Sequence, residues 1–330
     1  MKNLSYIFAV VILLATLASC RQKADFSQLP PEEALQQLDI QIRQHPKDVN
    51  LLYTRAKILV DMQHANEAIS DLNKAIAIED NDAKLYTLLA DAQFANGNVE
   101  QSYKALSRAN ELEPENMDII LKMGEITYYS RDYDRSLDHL TKVTQRDPDN
   151  RTALFMKSFI YKEKGDTANA VTLLRRVCDL YPDYAPAFEE LGVLYATRLN
   201  PLAVEYLNTA INLEPTNTNA LYALAMYYQN REEMRAADSL YARMLDLNDQ
   251  NAEAWHNRGY IEMMYYNGYD VAIEYFTRAI TADPTHVAAL ANRGCAYELS
   301  GDKARARDDF KAALAIDPNF QPAIDGLKRI

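Results

Sequence analysis

Cysteine, histidine and basic residues are all scarce in this chain, and each scarcity closes a route to function. There are three cysteines in 330 residues, Cys20, Cys178 and Cys295. A secreted chain that relied on disulfides would carry more of them, and Cys178 and Cys295 stand far apart, so the fold must rest on packing. The five histidines, His45, His64, His139, His256 and His286, fall in different segments with no ligand spacing between them. No paired-cysteine metal pattern, glycine-rich phosphate loop or His-Glu helix motif occurs, so neither metal nor cofactor is expected. With 35 Lys and Arg against 47 Asp and Glu, net −12, the chain repels phosphate backbones, which excludes nucleic acid as a natural partner.

Long apolar runs are confined to the start. Tyr6 to Leu17 is broken only by alanines and Thr16, which is the length of a signal-peptide core and short for a bilayer-spanning helix. The Leu17-Ala18-Ser19-Cys20 that follows resembles the lipobox of bacterial lipoproteins. That resemblance implies removal of residues 1–19, acylation of Cys20 (palmitate among the chains) and stable membrane anchoring. The mature chain then holds 34 cations against 47 acids, net −13, so anionic lipid surfaces are disfavoured and the anchor supplies the membrane binding. No aspartate directly follows Cys20, which points to the outer membrane, with the protein facing the periplasm.

What is abundant is repetition. Proline followed by Asp, Glu, Asn or Thr recurs at Pro114, Pro148, Pro182, Pro215, Pro284 and Pro318, mostly 34 residues apart. At that period the chain divides into eight full units: 49–82, 83–116, 117–150, 151–184, 185–217, 218–251, 252–286 and 287–320. The fifth is one residue short and the seventh one long. A small residue recurs in the first half of every unit, at Ala56, Ala90, Gly124, Ser158, Gly192, Ala225, Gly259 and Gly294. A second series reads Ala68, Ser102, Ser136, Ala170, Ala203, Ala237, Ala272 and Ala306.

These two series, with Leu290, Arg293, Gly294, Tyr297, Gly301, Ala306, Phe310, Ala313 and Pro318 in the last unit and Trp255 in the seventh, resemble the tetratricopeptide repeat (TPR) family. The resemblance implies an all-α fold, a solenoid of antiparallel helix pairs. Large residues fill the space between two amphipathic helices, and small ones admit close approach. Gly97, Gly165 and Gly301 supply a backbone angle the mid-repeat turn requires, and Asn200-Pro201 does so in the fifth unit as N-cap and first helical residue. Residues 31–48 read as an N-terminal half-repeat, 321–330 as a cap over the last apolar edge, and 20–30 as a lipidated tether.

The repeats thus occupy nearly all of the mature chain and leave no place in it for a catalytic domain, so no catalytic residue is expected. The family resemblance implies that first helices line an inner groove. Its inward positions here hold Tyr53, Phe94, Tyr128, Tyr129, Phe155, Phe159, Tyr222, Met226, Tyr260, Met263 and Met264, an aromatic and methionine surface suited to adaptable binding. His256 is expected in that groove as a solvated side chain. Asn257 and Asn292 share the sixth position of consecutive units; in some family members such a ladder grips an extended peptide backbone. The basic clamp that holds C-terminal carboxylates in other members is largely absent, with Asp91, Asp118, Glu125, Glu189 and Glu190 inward and Lys57, Lys84, Lys122 and Lys162 scattered among them. The expected function is a membrane-anchored scaffold or adaptor that binds proteins or extended peptides in assembly, export or enzyme recruitment. The alternative is a surface-exposed glycan or nutrient binder, since stacked aromatics also suit sugar rings.

Overall fold

The computed structural model describes residues 26–330; the leader and Cys20 lie outside the described residues. Among the described residues there are eighteen α-helices and no strand. None of these helices is long and apolar enough to cross a membrane. They form two compact units, one ending at Val143 and one beginning at Thr144.

The first unit contains α1 (Pro31–Gln44), α2 (Val49–Asp61), α3 (Ala65–Ile78), α4 (Ala83–Ala95), α5 (Val99–Leu112), α6 (Met117–Tyr129) and most of α7 (Tyr133–Arg146). The second contains α8 (Arg151–Glu163), α9 (Thr167–Leu180), α10 (Ala185–Ala196), α11 (Leu202–Leu213), α12 (Thr218–Asn230) and α13 (Met234–Leu247). It continues through α14 (Ala252–Ile261), α15 (Tyr269–Ala282), α16 (Val287–Leu299), α17 (Lys303–Ile316) and α18 (Gln321–Arg329). Within each unit a repeat's second helix packs on its own first helix and on the first helix of the next repeat, a TPR solenoid.

Helix starts follow from the sequence between repeats. The residue that ends a repeat caps the next first helix: Asp48, Asp82, Asn116, Asn150, Asn217 and Asn251 each accept from backbone N–H groups of the first turn. Where the fifth repeat begins, Tyr184 gives no such bond and Pro186 stands in the first turn instead. Before α16 the capping residue is a histidine, whose Nδ1 accepts from Ala289 N at 3.2 Å.

The two small-residue series form the packing seam. All eight residues of the second series are fully buried, and every member of the first is buried. The serines fit because their hydroxyls find partners inside: Ser102 Oγ donates to Ala90 O at 2.8 Å, and Ser136 Oγ to Gly124 O at 2.6 Å.

The two length changes are absorbed locally. In the fifth repeat Leu199 takes φ +50° and Asn200 Oδ1 accepts from Leu202 N, so the turn conformation falls one residue before the expected Asn-Pro. In the seventh, the extra residue widens the helix into a π turn over Glu262–Tyr266 that ends at Asn267, φ +53°.

A further departure concerns the expected tether. From Phe26 the chain is folded: Phe26–Gln28 is a 3-10 turn, and Phe26 is buried against Ala34 and Leu38 of α1. At the other end Ala323 is fully buried and Leu327 packs beside it over the apolar edge of α17.

Candidate functional site

First helices carry the candidate side chains, and each unit has its own set. In the first unit Phe94 (α4) and Tyr129 (α6) meet at 5.0 Å between ring centres, with Tyr128 edge-on to Tyr129 at 5.6 Å. Tyr129 is 56% exposed although it is a large aromatic in the last turn of a helix. Tyr53 lies half-buried on α2, and burial, with Asp82 and Asp91 nearby, pushes its hydroxyl pKa up. Lys122 is paired to Asp91 of the preceding first helix at 2.5 Å.

In the second unit Phe155 and Phe159 stack edge to face at 4.8 Å, and Tyr184 packs on Phe155 at 5.2 Å. Lys162 lies over the Phe159 ring and is held by Glu190 at 2.6 Å. On α12 Tyr222 and Met226 are half-buried against Tyr241, whose hydroxyl donates to Gln229 Oε1 at 3.0 Å and lies 3.2 Å from the Met226 sulfur.

The last part of the second unit departs most from expectation. Asn257 is only 7% exposed and its Nδ2 has no partner. Met263 is buried with Ala272, Phe276 and Ala296, and Tyr260 packs against the same cluster. Both Asn257 and Met263 therefore leave the expected open groove, Met263 within the widened turn and Asn257 on α14 ahead of it. Met264 remains 53% exposed, and the same turn presents Tyr265 and Tyr266 at 44% and 46% beside Glu232, Glu233 and Arg235. Those two tyrosines were not among the expected site residues; the extra residue in the seventh repeat was the signal for them.

His256 is not solvated either. Its ring lies 4.9 Å from that of His286 and 5.8 Å from Phe276, and burial, with His286 alongside, pushes its pKa down to about 4. Nε2 faces Asn292 Nδ2 at 2.9 Å and Nδ1 has no partner. Asn292 thus holds His256 and is half-buried. The His286 side chain is 9% exposed, and its Nε2 lies 3.5 Å from Glu253 Oε1 without a hydrogen bond. Histidines 30 positions apart in sequence are neighbours here because one sits on a first helix and the other caps the next first helix.

Cys178 and Cys295 are free thiols. Cys178 is buried in the core beside Leu174, and burial raises its pKa to about 12.

Comparison with known proteins agrees with the repeat. Residues 72–187 match the family described as the cytochrome c-type biogenesis protein H TPR domain, and residues 49–82 and 264–319 match two tetratricopeptide repeat families. The repeats are tetratricopeptide repeats. Superkiller protein 3 of Schizosaccharomyces pombe is 22% identical over 295 residues, 87% of this chain and 19% of that protein. A probable UDP-N-acetylglucosamine–peptide N-acetylglucosaminyltransferase SPINDLY of Arabidopsis thaliana is 29% identical over 112 residues, 34% of this chain and 12% of that protein. Type IV pilus assembly protein PilF of Pseudomonas aeruginosa is 27% identical over 142 residues, 42% of this chain and 55% of that protein. A tetratricopeptide repeat protein from Parabacteroides merdae superimposes with a TM-score of 0.54 at 18% identity, covering 74% of this chain and 97% of that one. The chain therefore spans only a part, from about an eighth to just over half, of the curated relatives named here.

Proposed function

We propose that this protein is a lipid-anchored adaptor of the bacterial cell envelope that binds partner proteins through the first-helix faces of its repeats. The observation that carries the proposal is where the exposed aromatic and methionine side chains among the described residues fall: Tyr129 on a first helix of the first unit, and Met264, Tyr265 and Tyr266 in the turn that ends a first helix of the second. Leaving such side chains in water is unfavourable, and they mark a surface that a partner covers. Lysines 122 and 162 on these faces are already neutralised by Asp91 and Glu190, which disfavours a clamp for free carboxylates.

The anchor is Cys20, and the outer membrane, on its periplasmic side, is the proposed location. The matches to a cytochrome c biogenesis family and to a pilus assembly protein favour a role in assembling envelope structures. The role is binding and not catalysis. The best-buried thiol, Cys178, is held protonated at neutral pH and is no nucleophile. The similarity to SPINDLY reaches 12% of that protein and supplies no argument for transferase chemistry.

Affinity purification from the native envelope tests the binding reading. Wild-type protein should recover a defined set of envelope proteins, and Tyr129→Ser and Met264→Ser should each lose members of that set at an unchanged melting temperature. Equal recovery by both variants would remove these faces as the binding surface. For the anchor, Cys20→Ala should yield unprocessed or soluble protein; mature-length protein in the membrane pellet would refute lipidation.

A further inference from the structure

We propose that Glu253, His256 and His286 form a divalent transition-metal site, suited to Zn2+, between the seventh repeat and the cap of the eighth. One ligand atom from each of the three residues lies within 4.8 Å of the other two. Two imidazole nitrogens and a carboxylate oxygen are a donor set that Zn2+ takes, with a fourth position open to a ligand from outside the chain.

Three further observations point the same way. The first is unspent bonding capacity: His256 Nδ1 and His286 Nε2 are both buried and both without a partner, a costly state for polar atoms. The second is a distance. His286 Nε2 and Glu253 Oε1 stand 3.5 Å apart with no hydrogen bond between them, close to the edge of about 3.3 Å expected when two ligands share one tetrahedral Zn2+ at ordinary bond lengths. The third is a substitution within the repeat. Asp or Asn caps six of the other first helices through its side chain, and His286 stands where they would, making a bond of 3.2 Å. A histidine caps less well than Asn or Asp; like Asn217, whose Nδ2 donates to Glu189 on the preceding first helix, it turns its second nitrogen to the preceding first helix, but as an imidazole nitrogen that can ligate a metal.

The outer shell and the proton arrangement follow. A metal takes each imidazole in its neutral form. As placed, Asn292 Nδ2 donates to His256 Nε2, which puts the ring proton on Nδ1; metal binding at Nδ1 requires the Asn292 amide to turn so that its oxygen accepts from Nε2–H. Coordination through His286 Nε2 moves that ring's proton to Nδ1, so the cap bond to Ala289 N is given up in exchange for the metal bond. Glu253 is exposed and free to close on the ion.

The test is titration of the chelator-treated full-length chain with Zn2+ alone, followed by calorimetry and melting, and with Co2+ alone, followed by visible absorption. One equivalent of Zn2+ should bind and raise the melting temperature, and Co2+ should give the bands of a tetrahedral site. Glu253→Gln alters an exposed side chain, and His286→Asn restores the cap used elsewhere, so both should fold. Each should weaken Zn2+ binding at least about tenfold. The inference is overturned if the wild-type chain takes up no stoichiometric Zn2+, or if its affinity is unchanged in His286→Asn. Neither result bears on the partner-binding faces, which Tyr129→Ser and Met264→Ser test separately.

Discussion

The guanidinium of Arg293 on α16 grips both carboxylate oxygens of Asp309 on α17, at 2.8 Å from Nε and 2.7 Å from Nη2. Arg55 and Asp71 make the same bidentate pair in the first repeat, both bonds at 2.7 Å, with Asp39 joining from α1. Asp309 and Asp71 are both buried, at 7% and 2% exposure. Removing the arginine leaves an uncompensated charge inside, which typically costs about 3–5 kcal/mol. Arg293→Leu should therefore lower stability by about that amount in a denaturant melt, while the double change with Asp309→Leu should recover most of the loss. A single variant as stable as wild type would mean the pair is idle.

Close helix contacts set a second expectation. A Cβ built on Gly192 falls 2.6 Å from Leu207 Cγ and 3.0 Å from Leu207 N, whereas at Gly294 it meets the Phe310 ring at 2.8 Å. A ring edge can shift and backbone cannot. Gly192→Ala should thus cost more than Gly294→Ala, with overpacking of this kind worth about 1–3 kcal/mol. Thermal melts of the two variants side by side check the order; the reverse order would contradict the packing described.

Those glycines show why so much of the fold was legible. The period of 34 is written into the chain, and two small-residue series in register leave one way to pair the helices. The buried seam at Ala68, Ser102 and Ser136 follows directly. The candidate faces were less legible, because inward position does not fix exposure. Met263 and Met264 are adjacent within the π turn, yet one is 5% and the other 53% exposed, because successive helical residues point to different faces. The meeting of His256 with His286 needed the cap geometry, which spacing alone does not contain.

His139 supplies a pH dependence in the first unit. It is 8% exposed, its Nε2 is 3.3 Å from the Tyr103 hydroxyl, and burial, with Lys142 next, lowers its pKa below the ordinary value near 6.5. A lowered folded pKa means the unfolded chain binds the proton more tightly. Its contribution is then complete above the unfolded pKa and is lost as pH falls from about 6.5 through the folded value. Wild-type stability should fall between pH 7 and 5 more steeply than that of His139→Gln. Parallel stability curves for the two would show that this histidine does not titrate in the window.

Cys178 and Cys295 should become reactive only on unfolding. Cys178 is buried and its pKa is raised to about 12, and burial also raises that of Cys295. Neither should react measurably with a disulfide reagent at pH 7.5 in the native state, and both should react in denaturant. Non-reducing and reducing gels should give the same mobility. A rapid native reaction at Cys178 would mean that its helix opens far more readily than its packing implies.

Asn257 is where stability and function should part. Its Nδ2 is buried without a partner, a defect that costs about 1–3 kcal/mol when polar groups are left unsatisfied. A leucine, with the same branching at Cγ and no polar atoms, removes the defect and suits its neighbours Ala254 and Ile261, which are fully buried on the same helix. Asn257→Leu should therefore raise the melting temperature. If the amide is kept because a partner's backbone carbonyl reaches it when the exposed turn at Met264–Tyr266 is covered, the same variant should recover less partner in affinity purification. Asn292→Leu is the control, because that amide already holds His256 at 2.9 Å and its loss should destabilise. A more stable Asn257→Leu with undiminished partner recovery would make the unpaired amide a structural imperfection and confine binding to the exposed aromatic and methionine side chains.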